Sequence, residues 1–244
     1  MALPERTSAS SPKRAPHAQT LGEVMRSFKV PSAAARGGAL SRPEVPTIRS
    51  LLSALRAHDP YTYRHSLRTV RLSLLLGRAC GAPVSRLRVI SLGALVHDLG
   101  KILVPGGVLH KEGRLTKGEW EAIRRHPRDG ARMLAGVAAS EDVRRVAAEH
   151  HERWDGRGYP AGRGGDRIDF SARVVAVADA FDAMTSVRPY RPPVGYEEAA
   201  AELERCAGTQ FDPEVVRAFL GVPRALVEAA VAPARDDDEE AAAV

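Results

Sequence analysis

One stretch near the middle of the chain, Leu95-Val96-His97-Asp98-Leu99-Gly100-Lys101, restricts the fold more than any other, because it carries an acid into what reads as a core. Leu87, Ile90, Ala94 and Leu95 recur at the offsets of one buried helical face, and continuing the count lands on Asp98, with His97 at its edge. A lone buried aspartate costs several kcal/mol of desolvation, so it needs a partner. An adjacent His, and a Lys four residues after it, suit a metal site that handles anions. The same residues can also be read as a plain helix end, with Gly100 as the stop and Lys101 serving the dipole. This stretch alone leaves both readings open.

Composition favours helices around it. The 244 residues are 44% hydrophobic but only 5% aromatic, rich in Ala, Leu, Val and Arg, and free of long β-branched alternation, so an all-α domain is expected. A formal charge of +6 is compatible with an anionic ligand such as a nucleotide. It is too diffuse to indicate duplex nucleic acid, and no basic run with interleaved aromatics occurs. Cys80 and Cys206 lie far apart without a C-x-x-C pair, so neither a disulfide framework nor a zinc knuckle is suggested. No stretch approaches the roughly 18 apolar residues of a membrane span, and no signal peptide pattern opens the chain. A cytoplasmic location is the expectation.

Residues 1–46 are Ser, Pro, Ala, Arg and Gly with little periodicity, and carry seven Lys or Arg against three acids. They read as a disordered basic tail. Residues 225–244 read as a flexible acidic one, which leaves 47–224 as the domain. Within it, Thr47 to Ala57 reads as the first helix, broken at His58-Asp59-Pro60. The next helix carries His65 on the face of Leu72 and Leu76. Ser85 is the expected N-cap of the helix that delivers His97 and Asp98. Thr116 with Glu119 reads as a capping box. His126-Pro127 puts His126 at the mouth of a helix, and after a Ser140 cap, Val143, Val146, Ala147 and His150 fall on one face, with His151 beside it. Glu152 to Ile168 is a Gly-rich loop that fits neither a P-loop nor a dinucleotide fingerprint. Ser171 opens an apolar helix with Val175, Ala178, Asp179 and Asp182 along one side. Helices near Tyr196–Cys206 and Asp212–Leu220 complete the domain.

Five of the eight histidines, His65, His97, His126, His150 and His151, thus share inward faces or helix ends with Asp98 and Asp179. Five imidazoles and two carboxylates without cysteine suit Mn, Fe, Co, Ni or Zn, and they are too many for one ion. A carboxylate can bridge two metals, and a pair held roughly 3.5–4 Å apart is the usual device for in-line displacement at phosphorus.

In order, His65-Ser66-Leu67-Arg68, His97-Asp98-Leu99-Gly100-Lys101, His126-Pro127, His150-His151-Glu152, Gly158-Tyr159-Pro160, Asp179 and Arg188-Pro189-Tyr190-Arg191 resemble the signature of the HD-GYP phosphodiesterases within the HD superfamily, from about Thr47 to Leu220. The resemblance implies a helical bundle with a buried iron or manganese site, and hydrolysis of cyclic di-GMP to linear pGpG and sometimes GMP. It implies that His65, His97, Asp98 and Asp179 hold one divalent ion and Asp98, His126, His150 and His151 the other, with Asp98 bridging. Lys101 matches the family lysine near the scissile phosphate. Arg188 and Arg191 match basic positions that meet phosphate or guanine, although Lys is usual at the second. Gly158 and Tyr159 belong to the loop that names the family, where Tyr159 either shapes the loop or touches the ligand. Trinuclear members place Glu where this chain has Tyr61, which argues for two ions, and Arg64 stands where many members have Gly. The residues before the fold are too few for a receiver, sensor or cyclase domain, so regulatory input is expected from elsewhere or from the tail, with a protein partner or homodimer left open. The expected activity is that of a cyclic di-GMP phosphodiesterase. Its rivals are an HD hydrolase of another cyclic dinucleotide or nucleotide phosphate, and a catalytically weak nucleotide-binding module.

Overall fold

The computed structural model describes residues 44–137, 139–187 and 192–232, and among them the chain is helical apart from loops and one lone β bridge between Ala207 and Phe211. Residues 1–43 and 233–244, which make up most of the segments read as tails over 1–46 and 225–244, and the positions of Arg188 and Arg191, lie outside the described residues. No helix among the described residues is long and apolar enough to cross a membrane.

Helix α1 (Glu44–His58) starts three residues before the expected Thr47, since Pro46 is tolerated in a first turn. Asp59 then caps α2 (Pro60–Ala79): its buried Oδ1 accepts from the amides of Tyr61 at 3.0 Å and Thr62 at 3.2 Å, and Pro60 supplies the preset first-turn φ. His65, Leu72 and Leu76 share the buried face the sequence predicts.

Helix α3 (Val84–Val96) corrects one expectation. Ser85 is not its cap: extended Pro83 holds that place with no side-chain hydrogen bond, and Ser85 lies inside the first turn. Every residue from Val89 to Val96 is buried, so the second half of the helix runs through the core rather than along its edge, as its almost wholly apolar run after Arg88 requires. Gly93 permits this, because a Cβ there would lie 2.6 Å from the side chain of Val146. Gly100 is not a helix stop either. The α-helix ends at Val96 and the chain tightens into a 3₁₀ segment (Leu99–Leu103), with Gly100 pressed against the backbone of His126 and Gly130 where no Cβ fits.

Pro105-Gly106-Gly107, which the sequence alone reads as a turn, instead opens a short helix α4 (Gly106–Leu109), and α5 (Lys117–Arg124) opens on the predicted capping box of Thr116 and Glu119. Helix α6 (His126–Gly136) begins at His126 and α7 (Glu141–Glu149) at the Ser140 cap. Helix α8 (Phe170–Thr185) starts earlier than predicted, because Asp169 accepts from the Ser171 amide at 2.8 Å and is the cap. Helices α9 (Tyr196–Arg205) and α10 (Pro213–Leu220) follow as expected. A further helix, α11 (Arg224–Val231), occupies the start of the segment read as an acidic tail, burying Val227 and Ala230 as it packs on α2.

Helix α2 packs against α1, α3 and α8; α3 also meets α7 and α8; and α6 closes on α7 and the 3₁₀ segment. One core therefore runs through the bundle. The N-terminal half of α2, the end of α3, the start of α6, the end of α7 and the middle of α8 converge, the first four bringing the histidines and α8 bringing Asp179 and Asp182.

Candidate metal centre

Three of the imidazoles are aimed by the same local device. The Nδ1 atoms of His97, His126 and His150 sit 2.7, 2.8 and 2.9 Å from the carbonyls of Ala94, Ile123 and Ala147, each three residues back. A carbonyl only accepts, so each Nδ1 carries the proton and each Nε2 of the neutral ring presents a bare lone pair. The consequences are visible at both ends of the site. His97 Nε2 is buried without a hydrogen-bond partner, with Asp98 Oδ2 3.4 Å away. The Nε2 atoms of His126 and His150 face each other at 3.2 Å. Lone pair against lone pair in a dry site is unfavourable unless a cation lies among them. The donor set thus fits a metal on the geometry alone.

The donors form two clusters, one of His65, His97 and Asp98 and the other of His126, His150 and His151, each with its ligand atoms within 4.8 Å of one another. Asp98 links them. Its Oδ2 lies 3.9 Å from His65 Nε2 and 3.4 Å from His97 Nε2, while its Oδ1 lies 3.2 Å from His126 Nε2. Asp179, from α8, reaches the first cluster at 3.0 Å from His65 Nε2. Lys101 donates to Asp98 Oδ2 at 2.6 Å.

Electrostatics favour the coordinating form of Asp98, Asp179, His97, His150 and His151. Burial works against the Asp98 carboxylate, but the Lys101 ammonium beside it outweighs burial and holds Asp98 well below the usual range. Burial likewise opposes the Asp179 carboxylate, and His65 holds it low. Burial depresses His97 and His150, with neighbouring imidazoles adding to the effect at His150, and pushes His151 down to about 4 against the pull of Asp179. His65 goes the other way, to about 9, because burial is outweighed by Asp179 and Asp182.

Asp182 is the residue that sequence reasoning left unassigned. Fully buried, its Oδ2 accepts from His65 Nδ1 at 2.6 Å, and Arg68 grips the carboxylate through Nε at 2.6 Å and Nη2 at 2.9 Å. A carboxylate behind a histidine fixes the tautomer and raises ligand basicity. Its spacing three residues after Asp179 on one helix face was the available signal.

The Gly-rich loop is built onto the same centre. Buried Glu152 accepts from the amides of Ala161 at 2.6 Å and Arg163 at 3.0 Å, and the Trp154 and Asp155 amides bond to the carbonyls of Gln210 and Thr209. Gly158 lies against the backbone of His151, Glu152 and Arg153, where a Cβ would fall 2.6 Å from Glu152 Cα. It fits by lacking a side chain. Tyr159 follows, its ring centroid 4.9 Å from that of His151. His58, which shares no ligand face, instead bonds to the Val104 carbonyl at 3.3 Å. The structure therefore gathers every predicted histidine and aspartate at one place, with Lys101, Gly158 and Tyr159 at its border.

A family model described as an HD domain matches residues 49–215. A cyclic di-GMP phosphodiesterase of Pseudomonas aeruginosa is 42% identical over 170 residues, covering 69% of this chain and 41% of that protein. A 3′3′-cGAMP-specific phosphodiesterase of Vibrio cholerae is 37% identical over 156 residues, covering 64% of this chain and 36% of that protein. The chain thus spans less than half the length of either relative. Among solved structures, a cyclic GMP-AMP specific phosphodiesterase of V. cholerae shares the fold, with a TM-score of 0.58 at 19% identity over 79% of this chain and 52% of that one.

Proposed function

Since the chain belongs to the HD domain family and to its HD-GYP branch, we propose that it is a metal-dependent phosphodiesterase that opens cyclic di-GMP to linear pGpG. The observation that carries this reading is Asp98, a buried carboxylate whose two oxygens address two separate histidine clusters. In this reading His65, His97, Asp98 and Asp179 hold one divalent ion, and Asp98, His126, His150 and His151 a second. Bound there, such a pair supplies an activated water and charge neutralisation for in-line displacement at phosphorus.

The protein's own groups do the rest. The backbone-anchored imidazoles keep their lone pairs turned inward without reorganisation, which is where preorganised sites gain most. Lys101 brings an ammonium within 2.6 Å of Asp98, positioned to stabilise or protonate the departing 3′ oxygen. Arg188 and Arg191 are assigned to the ligand's phosphate or guanine, for which a guanidinium fork is well shaped. Gly158 sets the loop that brings Tyr159 beside His151. Tyr61, standing where a third ion would need a carboxylate, supports two ions and release of mainly pGpG, because a phenol is a poor ligand near neutral pH.

The identity of the V. cholerae relative makes 3′3′-cGAMP the second candidate substrate. Anaerobic purification followed by metal quantification and side-by-side turnover of the two cyclic dinucleotides tests the reading. Two iron or manganese ions per chain with faster turnover of cyclic di-GMP supports it. A metal-loaded protein that turns over neither compound refutes it.

A further inference from the structure

Arg124 is the last residue of α5, exposed and outside every motif read from the sequence. Its guanidinium carbon lies 4.4 Å from the centroid of the Tyr159 ring, and that ring is 4.9 Å from the His151 imidazole. The charges of Asp179 and Asp98 reach the same phenol, so the stack stands at the metal centre's edge. Among the described residues no carboxylate lies within ion-pair distance of Arg124, whereas Arg68, Arg153 and Arg173 each grip one.

How this arginine is held matters to what it can do. A carboxylate partner would cancel its charge and occupy its N–H edge. An aromatic face holds the cation by its flat side and leaves the charge and the planar fork of donors available. That fork matches two oxygens of a phosphate group. A cyclic dinucleotide carries two phosphodiesters: the reacting one belongs with the metals and Lys101, and the other needs a counter-charge of its own beside the centre.

We infer that Arg124, seated on Tyr159, is a substrate-binding residue that takes the non-reacting phosphodiester of the bound dinucleotide. The inference rests on the proposed cyclic-dinucleotide activity. It also gives Tyr159 its role: the ring is the platform for Arg124 rather than a direct partner of a guanine base.

The test compares holoenzyme and Arg124→Ala, Arg124→Lys and Tyr159→Leu variants, after checking that metal content and thermal midpoint are unchanged in the Arg124 variants. For cyclic di-GMP, Arg124→Ala raises KM about tenfold or more with kcat changed less than about threefold, as removal of one charge-assisted contact requires. Arg124→Lys recovers part of the loss, and Tyr159→Leu reproduces it. Added salt narrows the gap between wild type and Arg124→Ala, because the contact is between charges. An unchanged KM in Arg124→Ala overturns the inference while leaving the phosphodiesterase reading standing. Should the wild type turn over no cyclic dinucleotide, that reading fails separately, and calorimetry with pGpG still decides Arg124: weaker binding by the Ala variant supports it, equal binding overturns it. A comparable loss of affinity for guanosine, which has no phosphate, would move the contact to the base and overturn the assignment.

Discussion

Replacing Asp182 with Asn keeps the shape of a fully buried side chain and removes only its charge. The carboxylate accepts three hydrogen bonds, from His65 Nδ1 and from the Nε and Nη2 of Arg68, and burial, which alone would raise its pKa, is outweighed by these two partners. An amide cannot serve both. With its NH₂ towards Arg68, donor faces donor and half of the fork is lost. With its NH₂ towards His65, the imidazole must accept at Nδ1 and carry its proton on Nε2, the atom 3.0 Å from Asp179 in the first cluster. Either outcome degrades His65 as a ligand, and loss of such an outer partner typically costs 10–100-fold in metal affinity, about 1.4–2.7 kcal/mol. Asp182→Ala goes further, stranding the Arg68 guanidinium, and should destabilise the metal-free fold by about 3–5 kcal/mol. Chelator competition with Mn²⁺ reads the first effect, and denaturant unfolding of chelator-treated protein reads the second. Wild-type Mn²⁺ affinity in Asp182→Asn would refute the argument that this carboxylate sets the His65 tautomer.

Three further expectations follow from the geometry. His151 takes a proton below about 4 when folded but near 6.5 when unfolded, so between those values the unfolded state binds more protons and stability falls as pH falls; the thermal midpoint of chelator-treated wild type should drop more steeply from about pH 7 to about pH 5 than that of His151→Gln. Equal slopes would contradict it. Gly158→Ala drives a methyl into the backbone of His151, Glu152 and Arg153, and should cost about 1–3 kcal/mol of stability on unfolding in urea, with an unperturbed curve counting against the packing described. Arg188→Ala should weaken nucleotide binding by about 1.5–3 kcal/mol in calorimetry with metal content intact, and unchanged affinity would remove Arg188 from the ligand's surroundings.

Much of the candidate centre is readable because several of the proposed ligands announce their direction locally. His65 shares a helical face with Leu72 and Leu76, and His150 with Val143 and Val146, so periodicity alone points them inward. Their partners were not readable in this way. Asp182 stood on the right face of its helix, but what it touches is 117 residues away in sequence. Arg124 has no apolar pattern to mark it, since it acts through a ring 35 positions on. Helix α11 was missed because a Pro at its start and the acidic run beyond it resemble a tail; the signal it did carry is Val227 and Ala230 at a three-residue spacing, both buried. The misplaced cap at Ser85 shows the same limit, where a neighbouring Pro83 took the role instead.

The central claim is that Asp98 is shared between two ions. The direct measurement is the metal-to-chain ratio of anaerobically purified wild type and Asp98→Ala, read on the same samples as turnover of cyclic di-GMP. The account predicts two ions per wild-type chain, and loss of both ions and of essentially all hydrolysis in Asp98→Ala. An Asp98→Ala protein that keeps its metal and its turnover would contradict it.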